Sequence, residues 1–203
     1  PYSPGKPLDE LERELGVRDA IKLASNENPL GPSPKAMEVL RKGSETLHLY
    51  PDGGAHHLIR ALADRLKVSV NQVAVGNGSD EIISLLVKAF IAPGDEAVMA
   101  DHTFVMYKLA ATGGHGTCIE VPLKNWCHDL PAMAKAITDQ TRLVFICNPN
   151  NPTGTMVARD EVAAFMADLP DHVIVVFDAA YYEYVRHQHY TDTVENVRNN
   201  LQE

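Results

Sequence analysis

The chain has 203 residues, 45% of them hydrophobic, enough for one good-sized domain or for one and part of another. Its formal net charge of −9, with acids and bases interspersed, argues against nucleic acid or an anionic membrane as partner, because both reward clustered Lys and Arg. No stretch approaches the roughly 20 apolar residues of a membrane span, the opening "PYSPGKPLDE" lacks a signal-peptide core, and three cysteines without CxxC spacing point to a reducing cytoplasm rather than a disulfide framework or zinc site.

Residues 1–33 are rich in Pro, Gly and Asn and read as an irregular arm with one short helix near Leu8–Leu15. Ser33 followed by Pro34 is a helix start, and the helix should run to about Lys42. Apolar residues at 55, 58, 59, 62, 63 and 66 form an amphipathic helical stripe. "VAVG" reads as a short strand, and "SDEIISLLVKAFI" as a helix apolar on nearly every side, hence buried. Alternation then continues: strand "EAVMA", helix "TFVMYKLAAT", strand "TCIEVPL", helix "DLPAMAKAI", strand "RLVFIC", helix "ARDEVAAFMADL" and strand "HVIVVFDAA". Such alternation implies an α/β domain whose sheet is mostly parallel and flanked by helices. Ligands bind at the carboxyl ends of such strands.

Three strand ends stand out. In "VGNGSDEII" two glycines allow a tight turn, and Ser79 and Asp80 open a helix. Either they are ordinary N-caps, or free N–H groups and the helix dipole make an anion site that Gly78 lets a ligand approach. In "LVFICNPNNPTG" a core strand stops abruptly in three asparagines and two prolines. Asn148, Asn150 and Asn151 can close Asx-turns, leaving a purely structural turn or a rigid mount for a ligand oxygen. Asp178 follows "VIVVF" and should be partly buried, so its charge needs a partner. That partner is a helix end, an arginine, or a protonated ring nitrogen of the kind found in pyridoxal phosphate.

Taken together, "PYSPGKP", "IKLASNENPLGPSPKA", "YPDG", "VGNGSDEII", "TFVMY", "NPNNPTG" and "DAAYYEY" resemble the class I/II aminotransferases of fold type I. More narrowly, the chain is similar to the histidinol-phosphate aminotransferase family. The resemblance runs from end to end, and "SNENPLGPSP" followed by "YPDG" is its most specific part. It implies pyridoxal 5′-phosphate as cofactor and a homodimer acting on small amino and keto acids. Gly78, Ser79 and Asp80 would hold the cofactor phosphate, and Phe104 would stack on the pyridine ring. Asn151 and Tyr181 would hydrogen-bond the ring oxygen, and Asp178 would pair with the ring nitrogen. Tyr50 would reach the phosphate in the neighbouring subunit, while Asn26 and Glu27 would lie near substrate. Residues 34–203 would be an incomplete cofactor-binding large domain, residues 1–33 an arm or small-domain segment, and the C-terminal small domain would be absent.

The family also anchors its cofactor through a Schiff-base lysine one strand beyond the aspartate. Here the last lysine is Lys135, well before Asp178. No catalytic residue is therefore assigned, and the 203 residues alone are expected not to transaminate. Ala179 stands where the family usually has glutamate, and His102 where it tends to have proline. Three alternatives stay open: an aromatic amino-acid aminotransferase, a decarboxylase on the same fold, and a non-catalytic paralogue that binds a phosphorylated ligand. No metal site is expected. His56 and His57 are adjacent rather than i, i+4, and His187 and His189 lack a third ligand. Cys147 reads as a small buried hydrophobe and Trp126 as packing or loop cover.

Overall fold

The computed structural model describes residues 5–190 and 192–199. The chain divides into two compact units, Pro1–Ala55 and His56–Glu203. The "PYSP" part of the opening motif lies outside the described residues.

The first unit holds α1 (Leu8–Leu15) and α2 (Pro34–Gly43), close to where the sequence places them. Gly16 ends α1 in the left-handed conformation at φ 66°, which a residue without Cβ adopts freely. Pro34 occupies the first turn of α2, but the Ser33 side chain makes no capping bond. Neither helix has a buried residue.

The second unit carries α3 (His56–Leu66), α4 (Gly78–Phe90), β1 (Glu96–Ala100), α5 (Met106–Gly113), β2 (Thr117–Val121), α6 (Leu130–Lys135), β3 (Thr141–Cys147), α7 (Arg159–Ala167), β4 (Ile174–Asp178) and α8 (Val194–Asn199). The strands form one parallel sheet in the order β2-β1-β3-β4. Side chains alternate across it. Ala97, Met99, Leu143, Phe145 and Cys147 face Ile83 and Val87 of α4 and Tyr107 and Ala111 of α5. Val98, Val144 and Ile146 face Leu130 and Met133 of α6 and Val162 and Phe165 of α7. Helices therefore cover both faces, as the parallel ladder requires. Asp129 opens α6 by accepting from the Ala132 N–H at 3.1 Å. Close packing also explains two glycines: a Cβ on Gly114 would sit 2.5 Å from Val87, and one on Gly116 would sit 2.6 Å from Ile91.

Two expectations fail. "VAVG" is extended at Val73 but is not a strand, because among the described residues no neighbouring strand accepts its hydrogen bonds. Helix α4 is not buried all round: Ile83 and Val87 are, but Leu85 is 47% and Phe90 42% exposed. Its apolar excess lies on a face that no described element covers.

Candidate active site

All four strands point the same way, so the loops after β1, β3 and β4 gather at one edge of the sheet. Alternation decides which side chains meet there. Cys147 ends β3 opposite Asp178, which ends β4, and both face the layer of α4 and α5. Between them and the start of α4 lies a hollow of about 110 Å³, lined by Ser79, Phe104, Cys147, Asn151, Asp178, Ala180 and Tyr181. Five sequence-derived candidates thus come together: Ser79, Phe104, Asn151, Asp178 and Tyr181. Gly78 and Asp80 flank Ser79 in the first turn of α4. Tyr50, Asn26 and Glu27 belong to the first unit and are not among the lining residues. Tyr50 is fully exposed, Asn26 takes a left-handed φ of 52°, and Glu27 pairs with Lys22.

Ser79 and Asp80 are not the caps of α4. The helix begins one residue earlier, with Asn77 as N-cap, and the Asn77 side chain makes no capping bond. Glu81 instead folds back, and its carboxylate accepts the Asn77 N–H at 2.6 Å. Gly78 has φ +70° with nothing within 4 Å of where a Cβ would stand, so the turn is open on that side. The hydroxyl of Ser79 and the unfilled first-turn N–H groups that any helix start presents can together face an anion.

The loop after β3 divides its three amides between two tasks. Asn148 bonds Val157 from both ends of its amide, accepting the Val157 N–H at 3.1 Å and donating to the Val157 carbonyl at 3.3 Å. Asn150 donates to the His102 carbonyl at 3.0 Å and to Thr153 at 2.8 Å, and accepts from the Thr103 hydroxyl at 2.8 Å. These are cross-loop bonds rather than the expected Asx-turns, because the loop doubles back on itself and on the segment after β1. Only Asn151 turns to the hollow, with its backbone N–H 3.4 Å from the Cys147 sulfur. Both X–Pro bonds of the loop are cis.

Three residues that sequence reasoning left unassigned hold this edge. Tyr107 is fully buried and donates to Asp178 Oδ2 at 2.7 Å. Burial, with Cys147 and Asp178 beside it, pushes its phenol well above the usual range, so it keeps its proton. His128 Nε2 lies 3.0 Å from the Cys147 carbonyl. The Tyr190 hydroxyl donates to the next carbonyl, that of Asn148, at 2.7 Å, and burial pushes its phenol up to about 12. Replacing Tyr190 with Phe strands a buried acceptor, which costs about 1–3 kcal/mol. A urea midpoint lowered accordingly with unchanged slope is the expected result; an unmoved midpoint would show that the bond does not hold the loop.

Cys147 is buried as expected, and burial raises its thiol above the ordinary value, which suits a wall rather than a nucleophile. Trp126 is 66% exposed and packs no core. His187 and His189 lie ring to ring at 5.6 Å, and among the described residues no group of three metal ligands occurs. No helix among those residues is long and apolar enough to cross a membrane.

Asp178 is 9% exposed. Its oxygens accept from Tyr107 and from the Ala180 N–H, and among the described residues no lysine or arginine pairs with it. An uncompensated carboxylate beside a flat apolar Phe104, with Ser79 across the hollow, suits a cationic aromatic ring that bears an anionic arm.

This architecture, a parallel sheet flanked by helices with its hollow at the strand ends, is that of the fold type I transferases. Residues 18–203 match the family described as aminotransferase class I and II, and the chain belongs to it. It is 52% identical over 198 residues to histidinol-phosphate aminotransferase of Moorella thermoacetica, covering 98% of this chain and 51% of that protein. It is 52% identical over 186 residues to histidinol-phosphate aminotransferase 2 of Pseudomonas fluorescens, covering 91% of this chain and 50% of the relative. The crystal structure of histidinol-phosphate aminotransferase from Sinorhizobium meliloti, in complex with pyridoxal 5′-phosphate, superposes with a TM-score of 0.85 at 28% identity, over 92% of this chain and 51% of that one. The chain therefore spans about half the length of the curated relatives it matches.

Proposed function

We propose that this chain carries the cofactor-binding part of a histidinol-phosphate aminotransferase, which moves an amino group between L-glutamate and imidazole acetol phosphate. The observation that carries the reading is the hollow where Ser79, Phe104, Asn151, Asp178 and Tyr181 converge. Family membership and about 50% identity to relatives of that name support it. Pyridoxal 5′-phosphate, when bound, supplies an electron sink for the substrate's Cα bonds and a carrier for the amino group. The residues do the rest. Gly78, Ser79 and Asp80 hold the phosphate at the start of α4, where the helix dipole favours negative charge. Phe104 covers one face of the ring and keeps water from it. Asn151 and Tyr181 hydrogen-bond the ring oxygen and fix the ring's rotation. Asp178 holds the proton on the ring nitrogen.

Residues 34–203 form the large domain in this reading, and residues 1–33 the arm. Tyr50 reaches the phosphate bound by a second subunit of a homodimer, Asn26 and Glu27 lie near substrate, and the enzyme works in the cytoplasm.

Titrating the chain with pyridoxal 5′-phosphate tests the site. Saturable binding that inorganic phosphate competes away is expected, with affinity at least about tenfold weaker in Asp178→Ala, the loss of one charge-assisted contact. Borohydride reduction should label no single lysine. Absence of saturable binding, or equal affinity in the variant, would overturn the assignment. Transamination is assayed on the whole gene product with L-histidinol phosphate against L-phenylalanine. Preference for phenylalanine would move the substrate to the aromatic amino acids.

A further inference from the structure

We infer that Tyr107 is a positioning residue that aims the charge of Asp178 at the ring nitrogen of the bound ligand, an inference that rests on the pyridoxal phosphate reading above. Tyr107 has no freedom of its own. Its ring stacks on Phe145 at 4.7 Å and 8°, and meets Phe104 edge to face at 5.6 Å and 86°. It is wholly buried, and helix α5 fixes its backbone. Its hydroxyl therefore stands at one point, 2.7 Å from Asp178 Oδ2.

Asp178 needs such a partner. It is the last residue of β4, and its Oδ1 accepts from the Ala180 N–H at 3.1 Å. With that bond alone the carboxylate can still tilt about it. The phenol takes the second oxygen and leaves one plane for the group. A carboxylate offers about four acceptor directions, so two remain for the hollow that Asp178 lines. Tyr107 keeps its proton, so it donates without cancelling the negative charge. Phe104 bridges the same two elements of the site. It lines the hollow and touches Tyr107, so one buried ring sets both the flat face and the charge.

The test uses two ligands that differ in one atom: pyridoxal 5′-phosphate, and its analogue with C–H in place of the ring nitrogen. Phosphate, aldehyde and hydroxyl are the same in both. The wild-type chain should prefer the pyridine form. Tyr107→Phe should reduce that preference by about tenfold while binding the carbocyclic analogue as before, the size expected for a hydrogen bond to a charged group. In an Asp178→Asn background the same substitution should change nothing, because Tyr107 acts through the carboxylate. A merely structural role would weaken both ligands alike in both backgrounds. In the wild-type chain the resonance of the buried, hydrogen-bonded Tyr107 hydroxyl proton should shift on binding the pyridine ligand and stay in place with the analogue, a readout that does not depend on any variant folding. An unchanged preference in Tyr107→Phe, or a hydroxyl proton indifferent to the ring nitrogen, overturns the role of Tyr107 and leaves the binding site standing. No binding, or no preference for the pyridine in the wild type, overturns the site reading and this inference with it.

Discussion

Phe145→Ala should lower the unfolding free energy of the second unit by about 3–5 kcal/mol, the range for truncating a buried aromatic ring. Phe145 sits in the middle of β3, which pairs with both β1 and β4, and its side chain is fully buried. The ring packs with Leu143, Met99, Ile83 and Val87 in the layer beneath α4 and α5. A rigid parallel sheet on one side and two helices on the other leave little room to collapse into the cavity, which favours the upper part of that range. Against a typical domain stability of about 5–15 kcal/mol, such a loss leaves the fold marginal at best. Phe145 is also one of the two rings that hold Tyr107. The variant should thus lose ligand discrimination along with stability, whereas Phe145→Leu should cost less and spare more of both. Urea unfolding followed by far-ultraviolet ellipticity measures the first effect. A loss below about 1 kcal/mol in the alanine variant would mean that the core cluster relaxes around the gap, contrary to its packing.

The frame of the domain was legible because each strand from β1 onward is an apolar run bounded by a helix signal, and the parallel sheet follows from that alternation. What failed, failed for want of a partner. "VAVG" has the composition of a strand, yet a strand exists only beside another. The apolar excess of α4 suggests burial, but composition reports what a helix could cover, not what covers it. In the site, residues fixed by their position at a strand end were readable. Ser79, Asn151 and Asp178 each lie at or just past the end of a short apolar run, whereas the register that pairs Asp178 with Cys147 is a property of the folded sheet. The supports were not readable. Tyr107 reaches Asp178 across 71 residues, Tyr190 reaches Asn148 across 42, and His128 reaches Cys147 across 19. Nothing local marks such bonds, because they depend on which loops the sheet brings to one edge. The amides of Asn148 and Asn150 mislead for the same reason. They look like local turn formers and serve as cross-loop ties.

Acid should loosen the loop after β3 through His128, and the sign follows from its surroundings. The ring is 5% exposed. A carbonyl can only accept, so the nitrogen facing Cys147 O carries the proton in the neutral ring. The other nitrogen, Nδ1, is buried and makes no hydrogen bond among the described residues. A second proton there would be a buried charge with no carboxylate to meet it. Burial accordingly pushes the pKa of His128 below the ordinary histidine value, and the Cys147 carbonyl and the Asn150 side chain oppose this only in part. The unfolded chain takes up that proton near pH 6.5, before the folded chain does. Stability is therefore complete above about pH 6.5 and falls as the pH drops from there toward the folded value, by at most about 1.4 kcal/mol per pH unit. Unfolding free energies of the wild type and His128→Gln between pH 7.5 and 5.5 isolate the effect, since the other eight histidines are common to both. The wild type should lose stability more steeply than the variant below pH 6.5, and amide exchange in residues 148–154 should quicken first, because His128 holds the carbonyl at the root of that loop. A difference between the two proteins that stays constant with pH would mean that His128 takes up its proton as easily when folded as when unfolded. The ring would then be no neutral strut, and acid would have to reach the site by another group.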